Sequence, residues 1–296
     1  MTPIAPTPPI VMTFAGADPS GGAGIQADLL TLASLGCHPL SVITAITVQD
    51  TRSVESFLVM DPEWVSDQAR FLLEDMPVAA FKVGMIGSAD NVAVIASIAA
   101  DYPDIPLILD PVLASDGGDP LADEELLEAI RDILLPLTTL ITPNLPEARR
   151  LAATQPDEED DLDQETAAHR LLAAGAGAVL ITGTHDNTIK VYNTLYTHNG
   201  IARRDSWARL PHRYHGSGCT LAAAIAGAMA TGLPLSEAVR EAQEYTWQTL
   251  RHSYRPGMGQ SIPDRLFWAR ESTALTSTEA TPADTAAANM PPTAAE

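Results

Sequence analysis

The chain has 296 residues, and 38 acidic side chains against 17 Lys and Arg give a formal charge of −21. That balance excludes a nucleic-acid binder, which needs a basic face for phosphates, and a protein held on anionic membrane surfaces. Hydrophobic residues make up 46% of the chain, enough for a sizeable core in one large domain or two modest ones.

Only two lysines occur, Lys82 and Lys190, so phosphate chemistry here cannot rest on a lysine cluster. Cys37 and Cys219 make no disulfide framework and have no metal-type spacing. Met1 to Pro9 is proline-rich without a basic n-region, and Cys219 to Leu233 is too short and small-sided to span a bilayer. The expectation is a soluble cytoplasmic protein.

The elements alternate along the chain. Ile10 to Ala15 reads as a buried strand and Gly22 to Leu35 as a helix. A β-branched strand over Leu40 to Val48 precedes a helix over Glu63 to Asp75. Strand Val78 to Gly84, helix Asn91 to Ala100 and strand Pro106 to Asp110 follow. Then come helix Glu124 to Leu134, strand Thr138 to Thr142, helices Leu145 to Ala152 and Glu165 to Ala174, and strand Ala178 to Thr182. Thr188 to Thr197 and Ile201 to Ala208 read as a hairpin turning at Asn199-Gly200. Two helices close the series, Cys219 to Thr231 and Ser236 to His252.

Two segments concentrate the acid. Asp157 to Glu165 carries seven acids and no base, and reads as a solvated loop. Residues 271–296 carry four acids among Ala, Thr and Pro, and read as a disordered tail beyond a domain over 1–270. Without both segments the charge is −10.

Repeated strand–helix units predict a mostly parallel sheet covered by helices on both faces, with ligands beyond the carboxyl ends of the strands. Three loops there can carry chemistry. Gly16 to Asp28 is glycine-rich; Gly22, Gly24 and Ala27 fit a dinucleotide fingerprint, while Gly22 stands where a P-loop needs lysine. A plain tight turn explains the same glycines. His215-Gly216-Ser217-Gly218-Cys219-Thr220 opens a helix, where free N–H groups and the helix dipole favour an anion. That position predicts a lowered pKa for Cys219, although a small buried residue fits as well. A nucleophilic Cys219 with His215 or His185 as base is a further reading, with no hydrolase motif around it. Asp110-Pro111 and Asn144-Leu145-Pro146-Glu147 offer oxygen ligands for Mg²⁺, and Asn144 with Glu147 equally spells a capping box.

Together these strings resemble the ribokinase superfamily, and within it the hydroxymethylpyrimidine/phosphomethylpyrimidine kinases. The resemblance rests on Gly16–Asp28, Val42–Thr51, Lys82–Gly87, Leu109–Val112, Ile141–Ala148 and His215–Leu221, in family order, and covers Ile10 to His252. It implies a three-layer α/β/α sandwich and ATP-dependent phosphorylation of 4-amino-5-hydroxymethyl-2-methylpyrimidine, then of its monophosphate, in thiamine biosynthesis. It implies a pyrimidine pocket of Gly16, Asp28, Gln49, Met85 and Val112. The nucleotide falls to Asn144, Thr182 and Gly218, and Mg²⁺ to Asp110 and Glu147. Gly216, Ser217 and Gly218 would form an anion hole, with Cys219 as base or orienting group, and the family points to a homodimer. One departure stands out. The family often reads Lys-Gly-Gly-His where this chain has Thr182-Gly183-Thr184-His185; either Mg²⁺ and backbone donors suffice, or turnover is reduced, or an arginine such as Arg213 substitutes. Alternatives are a pyridoxal or pyridoxine kinase, a pyrimidine-binding module that has lost activity, and a dinucleotide-dependent oxidoreductase. The segment Gly257 to Pro263 is unexplained and is expected to pack on the body.

Overall fold

A computed structural model describes residues 6–114, 121–184 and 188–270. The acidic tail over 271–296 and His185 lie outside them. The chain separates into a body ending at Arg265 and a stretch beginning at Leu266, whose described part ends in a helical turn.

The body begins with β1 (Ile10–Ala17), buried along nearly all its length because helices cover both sheet faces. Next come α1 (Gly24–Ser34), β2 (His38–Gln49), β3 (Val54–Val59), α2 (Pro62–Asp75), β4 (Val78–Val83) and α3 (Ala89–Asp101). The middle supplies β5 (Leu107–Leu109), α4 (Glu124–Ala129), β6 (Leu140–Ile141), α5 (Leu145–Ala152), α6 (Gln164–Ala173) and β7 (Ala178–Thr182). A hairpin of β8 (Lys190–Thr197) and β9 (Gly200–Ala208) precedes α7 (Ser217–Ala230) and α8 (Leu235–Arg251).

The strands form one sheet in the order β3-β2-β1-β4-β5-β6-β7-β8-β9. The pairings from β2 through β7 are parallel, and β3, β8 and β9 join antiparallel. Apolar side chains alternate between two cores. Met12 and Phe14 of β1 face a core shared with residues of α2 through α6, and Val11 faces one shared with α1, α7 and α8. This is the expected three-layer α/β/α sandwich. Chain order reverses beside β1, between β2 on one side and β4 on the other, which opens a crevice at the carboxyl ends of the central strands.

Local differences from the sequence reading have physical reasons. β3 has Glu55 and Ser56 inside a short exposed edge strand, so no apolar run marks it. The expected helix over Glu124 to Leu134 is α-helical to Ala129 and a π-helical turn from Ile130. The acidic run forms a 3-10 helix over Pro156–Asp161. The hairpin turns one residue earlier than expected, at His198-Asn199, with Gly200 already paired to Thr197 and at φ +95°. No described helix is long and apolar enough to cross a membrane.

Candidate functional site

A cavity of about 630 Å³ runs along the carboxyl ends of the strands. One end is lined by Gly16, Gln49, Met85 and Val112, four of the five positions expected to hold a pyrimidine. A Cβ at Gly16 would stand 3.0 Å from Met85 Sδ, so glycine keeps this end open to a flat ring. Gln49 Nε2 donates to Thr47 Oγ1 at 2.8 Å, and Thr47 donates to Ala17 O at 2.8 Å, which fixes the orientation of the carboxamide.

The fifth position, Asp28, is not in the cavity wall and the expectation is corrected here. It is fully buried on the α1 face that carries Ile25 and Leu32, where it accepts from Thr13 Oγ1 at 2.5 Å and Lys82 Nζ at 2.9 Å. Burial raises its pKa, against the pull of Lys82 and Thr13. Lys82 is the site residue that sequence reasoning did not assign. Its signal is a lone lysine in the otherwise apolar Val78–Val83, which a buried strand tolerates only with a partner. Its ammonium lies 4.0 Å from Asp110 Oδ2. Burial opposes its charge, but the carboxylates of Asp28 and Asp110 hold it protonated well above the ordinary lysine range. A Cβ at Gly84 would meet Nζ at 2.6 Å, so glycine leaves the ammonium its place under the cavity floor.

The two glycine loops pack directly on each other. Gly216, the N-cap of α7, has φ +82°, and a Cβ there would lie 2.0 Å from Gly22 O. Side chains lock this contact. His215 Nε2 is 2.9 Å from Asp18 Oδ2, which also accepts from Ala23 N and Ser20 Oγ. Burial works against ionisation of Asp18, yet hydrogen bonds from His215, Ser20 and Ala23 bring its pKa down to about 2. Beneath both loops lies Arg265, 3% exposed. Its guanidinium donates to Thr220 Oγ1 at 3.0 Å, Gly22 O at 2.6 Å and Gly216 O at 3.4 Å. No motif marked it, because its partners, two backbone carbonyls and a hydroxyl, are far away in sequence.

Ser217, Gly218 and Cys219 form the first turn of α7, whose N–H groups have no carbonyl one turn back, and all three line the cavity. This is the geometry of an anion site. A lowered pKa for Cys219 is corrected: desolvation raises the thiol, outweighing the opposing effects of Lys82 and of the Gly24 N–H, while Asp110 and Asp28 add to the rise. The helix dipole is too small to offset burial and two carboxylates.

Asp110 is 6% exposed, and its Oδ1 lies 3.5 Å from where a Cβ on Gly218 would be. Asn144 and Glu147 form the capping box of α5: Asn144 Oδ1 accepts from Glu147 N and Glu147 Oε2 from Asn144 N, each at 2.9 Å. Both also line the cavity, as does Thr182. Carboxylates at Asp110 and Glu147 beside an anion site fit Mg²⁺, which takes oxygen ligands and keeps several waters. No cluster of three or more metal-binding side chains occurs among the described residues.

The far end of the cavity was not legible in the sequence. Trp207 of β9 and Trp247 of α8 stand with ring centroids 6.3 Å apart. Gln243 accepts from Trp207 Nε1 and Asn193 Nδ2, and Asn193 accepts from Gly183 N. Arg209 donates to Gly183 O at 3.3 Å and Thr184 O at 2.8 Å. It, rather than Arg213, is the guanidinium bound to the loop where a lysine was missed; Arg213 is exposed at the rim.

The sequence pattern of the family described as phosphomethylpyrimidine kinase matches residues 18–264. A hydroxymethylpyrimidine/phosphomethylpyrimidine kinase of Streptomyces coelicolor is 40% identical over 257 residues, covering 86% of this chain and 93% of the relative. Among solved structures, the pyridoxal kinase of Staphylococcus aureus in complex with pyridoxal aligns with a TM-score of 0.78 at 27% identity, over 90% of this chain and 96% of that one. A phosphomethylpyrimidine kinase of Clostridium difficile aligns with a TM-score of 0.68 at 32% identity, over 82% and 99%. With the matched pattern reaching from the Asp18 loop to the turn that carries Asp264, this chain belongs to the phosphomethylpyrimidine kinase family.

Proposed function

We infer that the chain is a cytoplasmic phosphotransferase of thiamine biosynthesis. It moves the terminal phosphoryl group of ATP to the hydroxyl of 4-amino-5-hydroxymethyl-2-methylpyrimidine, and then to the resulting monophosphate. The observation that carries this reading is a single cavity whose small apolar-and-amide end is separated from an aromatic end by the α7 N-terminus. Gln49 has both a donor and an acceptor for an aminopyrimidine edge, and Met85 and Val112 form apolar walls. Trp207 and Trp247 offer faces for the adenine ring.

The N–H groups of Ser217, Gly218 and Cys219 receive the transferred group, and the protonated Lys82 beneath them offsets the charge gathered there. When bound, Mg²⁺ on Asp110 and Glu147 neutralises charge on the phosphates. The raised Cys219 thiol keeps its proton at neutral pH, so Sγ orients the acceptor hydroxyl, whose proton passes to an oxygen of the transferred phosphoryl group as the new O–P bond forms. A phosphate acceptor needs no base. Arg265 keeps the anion site in register with the pyrimidine loop.

A pyridoxal kinase is the second reading, favoured by the likeness to the Staphylococcus aureus enzyme. The two are separated by ADP release with each alcohol, ATP and Mg²⁺, resolving mono- from diphosphorylated product. Turnover of the pyrimidine through both steps is expected; a strong preference for pyridoxal, or binding of the pyrimidine without turnover, overturns the reading. A homodimer, which the family resemblance implies, would form on an exposed apolar face. Ile46, Val48 and Leu58 are exposed on one face of β2 and the edge strand β3, where Ile46 pairs with Leu58.

A further inference from the structure

Gly257 to Pro263 has a structural role. Gln260 N donates to Thr51 O at 2.8 Å, Gly259 N to Thr51 Oγ1 at 3.0 Å and Ser261 N to Arg213 O at 3.1 Å. His215 N closes the link onto Ser261 O at 2.9 Å. The segment thus ties the loop after β2 to the loop that enters α7. Its glycines are required by proximity: a Cβ at Gly257 would stand 2.7 Å from Thr51 Oγ1, and one at Gly259 1.9 Å from Thr51 O.

This bridge bounds a second cavity, of about 640 Å³, outside the first. His212, Arg213 and Gln260 line both. The second cavity adds Arg52 and Arg255, with hydroxyls from Thr51 and Ser253, and none of its lining residues is acidic. In a chain of charge −21 that is an inversion of the average surface. Arg70, Arg150, Arg170 and Arg203 each have a carboxylate within 4.0 Å, and among the described residues Arg52, Arg213 and Arg255 have none. Asp50, the carboxylate that feels Arg52, is engaged by the N–H groups of Arg52 and Ser53. Met258 gathers two of the guanidinium groups, accepting from Arg52 Nη2 on its sulfur and from Arg255 on its carbonyl. Like charges held in one concavity repel unless an anion joins them, and guanidinium forks match phosphate oxygens.

We propose that this basin is a second binding site, for the phosphate or diphosphate group of a small molecule. It is separate from the anion site at α7 and shares a wall with the cleft. Inorganic pyrophosphate is titrated calorimetrically into the wild-type chain and into an Arg52→Ser/Arg255→Ser variant, whose melting curve checks that it folds. Both positions are exposed and outside the cleft wall. The variant is expected to bind about tenfold or more weakly, the equivalent of about 1.4 kcal/mol; an Arg52→Lys/Arg255→Lys variant keeps part of the affinity. Displacement of bound pyrophosphate by ADP assigns the carrier to the nucleotide, and displacement by the pyrimidine diphosphate assigns it to the product. Equal affinity of wild type and serine variant, no binding by the wild type, succinate binding as tightly as pyrophosphate, or displacement by neither carrier overturns the assignment.

Discussion

Replacing Lys82 by methionine removes one charge and keeps nearly the same length of apolar stem. Nζ lies 2.9 Å from Asp28 Oδ2 with both side chains fully buried. At an effective permittivity of about 20, that separation corresponds to an attraction of about 6 kcal/mol, part of which is offset by dehydrating two ions. Losing the lysine alone leaves Asp28 in the core without its cation, and a cost of about 3–5 kcal/mol is expected. The carboxyl escapes by taking up a proton, so its folded pKa rises further above the unfolded value. A carboxyl raised in this way weakens the fold as pH rises between the two values. Lys82→Met is therefore hurt most near pH 8 (about) and regains stability toward about pH 5. Asp28→Asn with Lys82→Met removes both charges, and the pair should cost at least about 2 kcal/mol less than the two single changes combined. Urea unfolding followed by circular dichroism at both pH values measures all of this. A single-variant cost below about 1 kcal/mol, or additive costs, would refute the pairing as the reason for the burial of Lys82.

Three further outcomes follow from other parts of the site. Iodoacetamide should label Cys219 more slowly than a free thiol near neutral pH, with the rate still climbing above about pH 9; faster labelling at neutral pH contradicts a raised thiol. Asp18, held at about 2, contributes stability that is complete above about pH 4 and lost as pH falls toward 2, up to about 2 kcal/mol. Acid titration of an Asp18→Asn variant should lack that component. Leu58→Lys should convert a dimer to a monomer in light scattering while leaving a cooperative melt; a wild-type monomer at micromolar concentration removes the dimer reading.

The parallel strands were legible because burial on both faces writes an apolar run, as in Ile10–Ala17 and Ala178–Thr182. The glycine loops were legible because backbone proximity leaves glycine little alternative, as Gly216 against Gly22 demonstrates. Asp28 was misassigned by following its motif, although its place on the Ile25–Leu32 stripe of α1 pointed inward. Lys82, Arg265 and the Trp207–Gln243 wall stayed hidden because each is defined by partners on other elements. A buried guanidinium bonded to carbonyls leaves no local pattern, and neither does an indole donating to an amide from another layer. The Cys219 thiol failed for a related reason: the helix start is local, but the burial that chiefly opposes its ionisation, with Asp110 and Asp28 adding to it, comes from other elements.

Arg265 also bears on when the site comes into being. Its bond to Gly22 O joins residues 243 positions apart, at opposite ends of the body. During synthesis the pyrimidine loop emerges first, and the group that holds it against the α7 turn emerges last. A nascent or truncated chain ending before Arg265 has every phosphate-facing N–H already encoded and still lacks the clamp that brings the two loops into contact. Such a chain should engage ligand poorly, and proteolytic trimming from the carboxyl end should abolish binding abruptly once it passes this residue.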